Sequence, residues 1–290
     1  MNTNISSIIF TNEKYINIFN ITLPRFKKYL KDITKNIYVV TNKFNKNTSI
    51  NFEEINVIDA NVNFSASGNH FAQSMLKALR NINTEYILFF CDDYMINSKI
   101  NINNFYSILN IIKSYNCDFF SFASLNYCDH IILEWPKIET HLNKFQMSGG
   151  TLYKIPNSYR HLYSVQPCIW KKQSFIELLE YNPELSISSL DNTNIKNKKG
   201  YYRNLNYETN YYDETDITSL DYNFTNLIIN YPPLSYNIDD RPIGSNYLVF
   251  DYGEIIRHGR FIETETNSKK ILMEFLKNNQ DLKEKVKQFL

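Results

Sequence analysis

The run Tyr86-Ile87-Leu88-Phe89-Phe90-Cys91-Asp92-Asp93 decides how the rest of the chain is read. Six apolar or aromatic residues stand in a row without polar alternation, the pattern of a strand covered on both faces. Such strands belong to the centre of a parallel sheet with helices above and below. Two adjacent carboxylates follow at once. In open α/β sheets a ligand lies at the carboxyl ends of the strands, so Asp92 and Asp93 stand where a guest in the crevice would meet them. Hard divalent cations such as Mg2+ and Mn2+ take carboxylate oxygens and keep their other positions for water and substrate phosphates, which makes a metal diphosphate the natural guest. The plainer alternative is an acidic pair that opens a turn after a buried strand.

Upstream of this run, residues 5–10 predict a first strand ended by Thr11-Asn12-Glu13-Lys14. Residues 15–33 then place Ile18, Ile21, Phe26, Tyr29, Leu30 and Ile33 at helical intervals. Pro24 suits a first helical turn or a break there, which puts the start of this helix near Thr22 as its N-cap. Residues 37–41 and 55–59 are β-branched strands, and residues 71–82 an amphipathic helix with Met75, Leu76 and Leu79 inward. Downstream, residues 101–115 predict a helix, 118–122 a strand, 165–170 a strand-like stretch and 172–181 a helix. The polar and Tyr-rich residues 191–215 predict a long ordered loop or lid. Ile271, Leu272, Phe275, Leu276, Leu282, Val286 and Phe289 mark a C-terminal amphipathic helix that serves packing or a homodimer. Its polar face mixes Lys with Glu and Asp, which counts against a peripheral membrane anchor.

The chain has 290 residues, 43% hydrophobic and 15% aromatic, with only 7 Gly, which excludes disordered and collagen-like classes. Lys+Arg 31 against Asp+Glu 30 leaves a formal charge of +1, so no broad basic surface is expected for nucleic acid or anionic membranes. Cys91, Cys117, Cys128 and Cys168 show neither CxxC nor paired-His spacing, so neither a zinc site nor a disulfide framework is expected. No apolar run approaches the ~20 residues of a membrane span, and residues 1–11 lack a signal-peptide pattern. The expectation is a soluble protein of a reducing cytoplasm, that of the host if the chain is viral.

The stretch 84–94, Thr-Glu-Tyr-Ile-Leu-Phe-Phe-Cys-Asp-Asp-Tyr, resembles the strand and acidic motif of the GT-A nucleotide-sugar glycosyltransferases. Two further segments resemble the same group in the same order. They are Ser164-Val165-Gln166-Pro167-Cys168-Ile169-Trp170-Lys171-Lys172 and Tyr252-Gly253-Glu254-Ile255-Ile256-Arg257-His258-Gly259-Arg260-Phe261. The resemblance implies an α/β, Rossmann-like GT-A fold with a mixed, mostly parallel sheet flanked by helices. A glycosyltransferase domain would span residues 1–262, with a nucleotide-sugar-binding half over 1–125, an acceptor-side half over 126–262, and a terminal amphipathic helix over 263–290. It also implies a nucleotide-diphosphate sugar donor, a glycan or glycoconjugate acceptor, and a divalent cofactor, Mn2+ or Mg2+. By the same resemblance Asp93 binds the metal and Asp92 lies near the ribose or the sugar. The acidic motif departs from a strict D-x-D, because Cys91 occupies its first position and removes one polar contact.

Transfer from such a donor builds negative charge on the leaving diphosphate, which metal and cationic side chains stabilise. Arg257, His258 and Arg260 form a cationic cluster in the third segment, with Arg257 for the diphosphate and His258 as a metal ligand; the alternative is a solvated turn edge. After the first strand, Thr11 can hydrogen-bond the base and Tyr15 stack on it, or Tyr15 can staple the helix to the core. An inverting transfer needs a carboxylate base at the acceptor hydroxyl. Asp191 holds the matching position loosely, with Glu184 in reserve, and is otherwise a turn residue opening an Asn-rich loop. Gln166 and Trp170 face the acceptor on this reading, or Trp170 belongs to the core. Two rivals stay open: a catalytically inactive nucleotide-sugar or carbohydrate-binding module, and a sugar nucleotidyltransferase. The second is disfavoured because residues 10–14 hold no glycine.

Overall fold

In the computed structural model, which describes residues 4–13, 15–44, 54–63, 70–122, 151–154, 167–181, 226–230, 252–257, 260–261 and 267–287, the sheet grows outward from the acidic strand. The strands are β1 (Ile5–Thr11), β2 (Ile37–Thr41), β3 (Asn56–Asp59), β4 (Tyr86–Cys91), β5 (Tyr94–Ile96), β6 (Phe119–Ser121), β7 (Thr151–Lys154), β8 (Cys168–Lys171), β9 (Asn226–Asn230), β10 (Tyr252–Glu254), β11 (Ile256–Arg257) and β12 (Arg260–Phe261). The helices are α1 (Ile16–Leu30), α2 (His70–Asn81), α3 (Ile102–Ser114), α4 (Lys172–Tyr181), α5 (Asn267–Lys277) and α6 (Gln280–Lys285).

Eight strands make one sheet in the order β3-β2-β1-β4-β8-β6-β9-β7. β4 is buried along its whole length, as its unbroken apolar run requires, and so is β1 beside it. The β1–β2, β1–β4, β2–β3 and β6–β9 pairs are parallel, whereas β8 runs antiparallel to both β4 and β6, and β7 to β9. This is a mixed, mostly parallel Rossmann-like α/β sheet flanked by helices. The central strand therefore has one parallel and one antiparallel neighbour. Burial on both faces fixes depth in the sheet and leaves direction open, because direction is set by the route of the connecting chain.

One apolar core gathers Phe10, Phe26, Phe71, Phe89, Phe90, Phe105, Phe119 and Trp170 from both sides of the sheet. A second, smaller core joins Ile18 and Ile21 of α1 with Met95, Ile255, Leu272, Leu276 and Val286. The terminal helical segment packs on the body of the fold.

Two local predictions need correction. α1 begins at Ile16 rather than near Thr22 and carries Pro24 in its interior. Burial of Ile18, Phe19 and Ile21 outweighs the interior-proline penalty, and Pro24 itself is exposed. Thr22 is no N-cap; its hydroxyl donates to the carbonyls of Phe19 at 3.3 Å and Asp92 at 3.1 Å. The terminal helix is in fact two helices, broken at Asn278-Asn279. There the Asn279 amide donates to Phe275 O at 2.8 Å and the Gln280 amide to Lys277 O at 3.1 Å, so side chains satisfy carbonyls that a continuing helix would have used. No helix among the described residues is long and apolar enough to cross a membrane. The 191–215 stretch lies outside the described residues.

Candidate active site at the carboxyl ends of β1 and β4

β1 and β4 pair in parallel register up to Phe10 opposite Cys91, so both strands end at one level of the sheet. The Asp92 N–H donates to Phe10 O at 3.0 Å and extends the ladder by one rung. Thr11, the last residue of β1, is thereby set beside Asp92. Its hydroxyl donates to Asp92 Oδ2 at 2.6 Å, a short charge-assisted bond inside the protein. On the other side, the Thr22 hydroxyl holds the Asp92 carbonyl. Asp92 is 8% exposed, and burial pushes its carboxyl up to about 7, against the opposing pull of the Thr11 hydroxyl and of the Asp92 and Asp93 backbone N–H groups.

Asp93 is half-buried and the more exposed of the two acids. Tyr15 starts the turn into α1, its N–H donating to Asn12 O at 3.0 Å. The half-buried Tyr15 packs against the small core, as the staple alternative expected, and burial and then the charges of Asp92 and Asp93 hold its phenol above its usual range. The structure thus gathers Thr11, Tyr15, Asp92 and Asp93.

The third matching segment reaches the same place. β10 pairs antiparallel with β5, Glu254 opposite Tyr94, and the Ile255 N–H donates to Asp93 O at 2.7 Å. Arg257 follows two residues later, on the hairpin in which it lies opposite Arg260. His258, Gln166, Asp191 and Glu184 lie outside the described residues.

Trp170 stands elsewhere. On β8 it lies opposite Ile87 and Phe119, has 0% exposure, stacks on Phe175 with ring centroids 4.4 Å apart at 10°, and tilts against Phe119 at 4.7 Å. No sugar ring can reach it, and its place is in the core. Cys91 is likewise a core side chain, 4% exposed, so the first position of the acidic motif points to packing rather than to a ligand.

One residue that the sequence reading passed over organises the loops at the strand ends. Asn42, just beyond β2, is fully buried; its Oδ1 accepts from the Glu13 N–H at 3.0 Å and its Nδ2 donates to Val62 O at 3.1 Å. It ties together the loops that leave β1, β2 and β3. The available signal is an amide directly after a β-branched strand, where the chain turns at the ligand-side edge.

Among the described residues no group of three or more His, Cys, Asp or Glu converges. Asp93, half-buried at the exit of β4, is the carboxylate that could meet a hard cation there, a class of ion that takes carboxylate oxygens and completes its shell with phosphates and water.

No family profile and no curated protein sequence matches the chain. Among solved structures it is similar to S. aureus TarS residues 1–349, at 17% identity and TM-score 0.35 over 61% of this chain and 48% of that one. TarS has also been solved with UDP and with UDP-GlcNAc. It is similar to the mannosyltransferase PcManGT from Pyrobaculum calidifontis in complex with GDP-Man and Mn2+, at 11% identity and TM-score 0.38 over 69% and 53%. The bifunctional IspDF from Campylobacter jejuni follows at 14% identity and TM-score 0.33 over 64% and 46%. The chain spans about half the length of these proteins.

Proposed function

We propose that the chain is a glycosyltransferase that moves a sugar from a nucleotide-diphosphate sugar to a glycan acceptor, with inversion and with a divalent metal. The observation that carries this reading is the meeting of Thr11, Asp92 and Asp93 at the exits of two adjacent buried parallel strands, with Tyr15 opening the next helix beside the acids and the Ile255 N–H donating to the Asp93 carbonyl. Asp93 would hold Mn2+ or Mg2+, with His258 as a second ligand. Bound there, the cation supplies positive charge to the diphosphate as it leaves.

The chain's own residues divide the remaining work. Thr11 is fully buried with its hydroxyl on Asp92, so it fixes that carboxylate toward the ribose or sugar instead of bonding the base, and the Tyr15 ring offers a face to the base. Arg257 carries fixed positive charge toward the diphosphate. Gln166 binds the acceptor, and Asp191 takes the proton from the acceptor hydroxyl as it attacks the anomeric carbon. Trp170 has no part in acceptor binding.

The test is release of nucleoside diphosphate from a panel of UDP- and GDP-sugars with Mn2+, with and without EDTA. Turnover lost with EDTA and lowered at least ~100-fold by Asp93→Asn is expected, since the charge it helps neutralise grows in the transition state. Full activity in EDTA removes the metal from the reading. Asp191→Asn that folds and turns over normally removes the base. Tight binding without turnover under every metal and acceptor favours the inactive binding module, for which Cys91 is the supporting departure.

A further inference from the structure

We propose that the C-terminal helix pair is a positioning element for the acidic motif, with Leu272 and Leu276 holding Ile255 and, through the Ile255 amide, the Asp93 backbone. The functional half of this inference rests on Asp93 being the metal-side carboxylate.

The connection can be followed residue by residue. The Asp93 carbonyl accepts from the Ile255 N–H at 2.7 Å. Ile255 comes directly after β10, whose partner β5 begins one residue after Asp93, so the acidic turn and the third segment are joined by a ribbon of only three residue pairs. A two-stranded ribbon this short is not stable in water without a covering surface. β5 is anchored from α1, where Arg25 donates from Nε to Ile96 O at 2.7 Å and from Nη2 to Asn97 O at 3.0 Å. The β10 side is covered by the terminal helices: Ile255 is 1% exposed and shares its apolar cluster with Leu272, Leu276 and Val286, together with Met95 of β5 and Ile18 and Ile21 of α1. Removing that cover opens a void beneath Ile255 and leaves its bond to Asp93 held by the ribbon alone. The acidic turn is thus gripped from two sides, by Thr22 at the Asp92 carbonyl and by Ile255 at the Asp93 carbonyl. The second grip depends on residues near the end of the chain.

A purely structural helix would lower global stability and leave the site unchanged in molecules that stay folded. The inference demands more. In Leu276→Ala, the Ile255 amide and the β5–β10 amides should exchange with deuterium at least about tenfold faster, while the β1 and β4 amides keep their rates. Unchanged Ile255 exchange overturns the grip. Binding of Mn2+ with UDP or GDP, measured by calorimetry well below the melting temperature, should weaken about tenfold, a typical effect of disturbing the support of a metal ligand. Leu276→Met should restore it, and Met273→Ala, at a position 45% exposed, should leave it unaltered.

Should Leu276→Ala not fold, the wild-type chain answers by reciprocity: nucleotide with Mn2+ should slow exchange across 267–287. Binding without that protection, or equal affinity in wild type and a folded Leu276→Ala, overturns the coupling to the site. Absence of any nucleotide binding by the wild type defeats the reading of Asp93, and the Ile255 exchange still decides the grip.

Discussion

At the scale of single residues, the two neighbouring acids differ because strand geometry sends them to different surroundings. Asp92 continues the β4 ladder, is enclosed, and takes its one short side-chain bond from Thr11; Asp93 sits half-buried with its backbone held by Ile255. Thr11→Val keeps the shape of the side chain and deletes the hydroxyl, leaving a buried carboxylate without its charge-assisted donor. The expected loss is about 1.5–3 kcal/mol of stability by urea unfolding at about pH 8.5, where the Asp92 carboxyl, raised to about 7, is ionised, and Thr11→Ser should recover most of it. Tyr86 gives a second residue-level prediction. Burial and then the Glu85 charge push its phenol up to about 12 from 10.0. The folded chain therefore keeps this proton more tightly than the unfolded one, and the associated stability is intact below pH 10 and lost as pH rises to about 12. Urea midpoints across that window should fall less in Tyr86→Phe than in the wild type. The position of the acidic pair was legible in the sequence because an apolar run and a strand exit are local patterns. The bond from Thr11 was not, since it joins residues 81 apart that only strand pairing makes neighbours.

Among the elements, sequence reading succeeded where one chemical signal ruled and failed where two competed. β4 and α4 occupy the predicted residues 86–91 and 172–181, and α3 falls within 101–115 with Asn101 as N-cap, its side chain accepting from the Asn104 N–H. α1 was misread because proline is a strong local signal, whereas the burial that overrides it is a property of the assembled fold. The Trp170 strand, β8, covers 168–171 and so shares only 168–170 with the predicted 165–170, and its antiparallel insertion between β4 and β6, which sends the indole into the core, depends on chain route. The proline makes this testable. Pro24 is exposed within α1, so Pro24→Ala removes no core contact and returns the missing N–H to the helix. A gain of up to about 3 kcal/mol is expected from denaturant unfolding. A loss would mean that the proline supports the geometry by which neighbouring Thr22 reaches the Asp92 carbonyl.

For the molecule as a whole, the arrangement of two cores implies two levels of stability. The large core holds both faces of the eight-stranded sheet, whereas the small one joins the terminal helices to α1 and the β5–β10 ribbon. Fewer buried apolar contacts mean a lower free energy of opening, so the terminal region should detach before the sheet unfolds. The chain carries its own reporters for both events. Cys91, Cys117 and Cys168 are buried thiols of the large core, and burial holds the Cys168 thiol well above its usual range, so raising the pH to about 9 creates no reactive thiolate there. Lys270, Lys277 and Lys283 provide trypsin sites in the terminal helices. With increasing urea, cleavage at these lysines should begin at least about 1 M before iodoacetamide labels the three cysteines, and labelling should follow the loss of sheet signal. Coincident curves would show instead that both cores unfold as one cooperative unit. In that case the terminal helices would brace the whole sheet rather than grip the acidic turn alone.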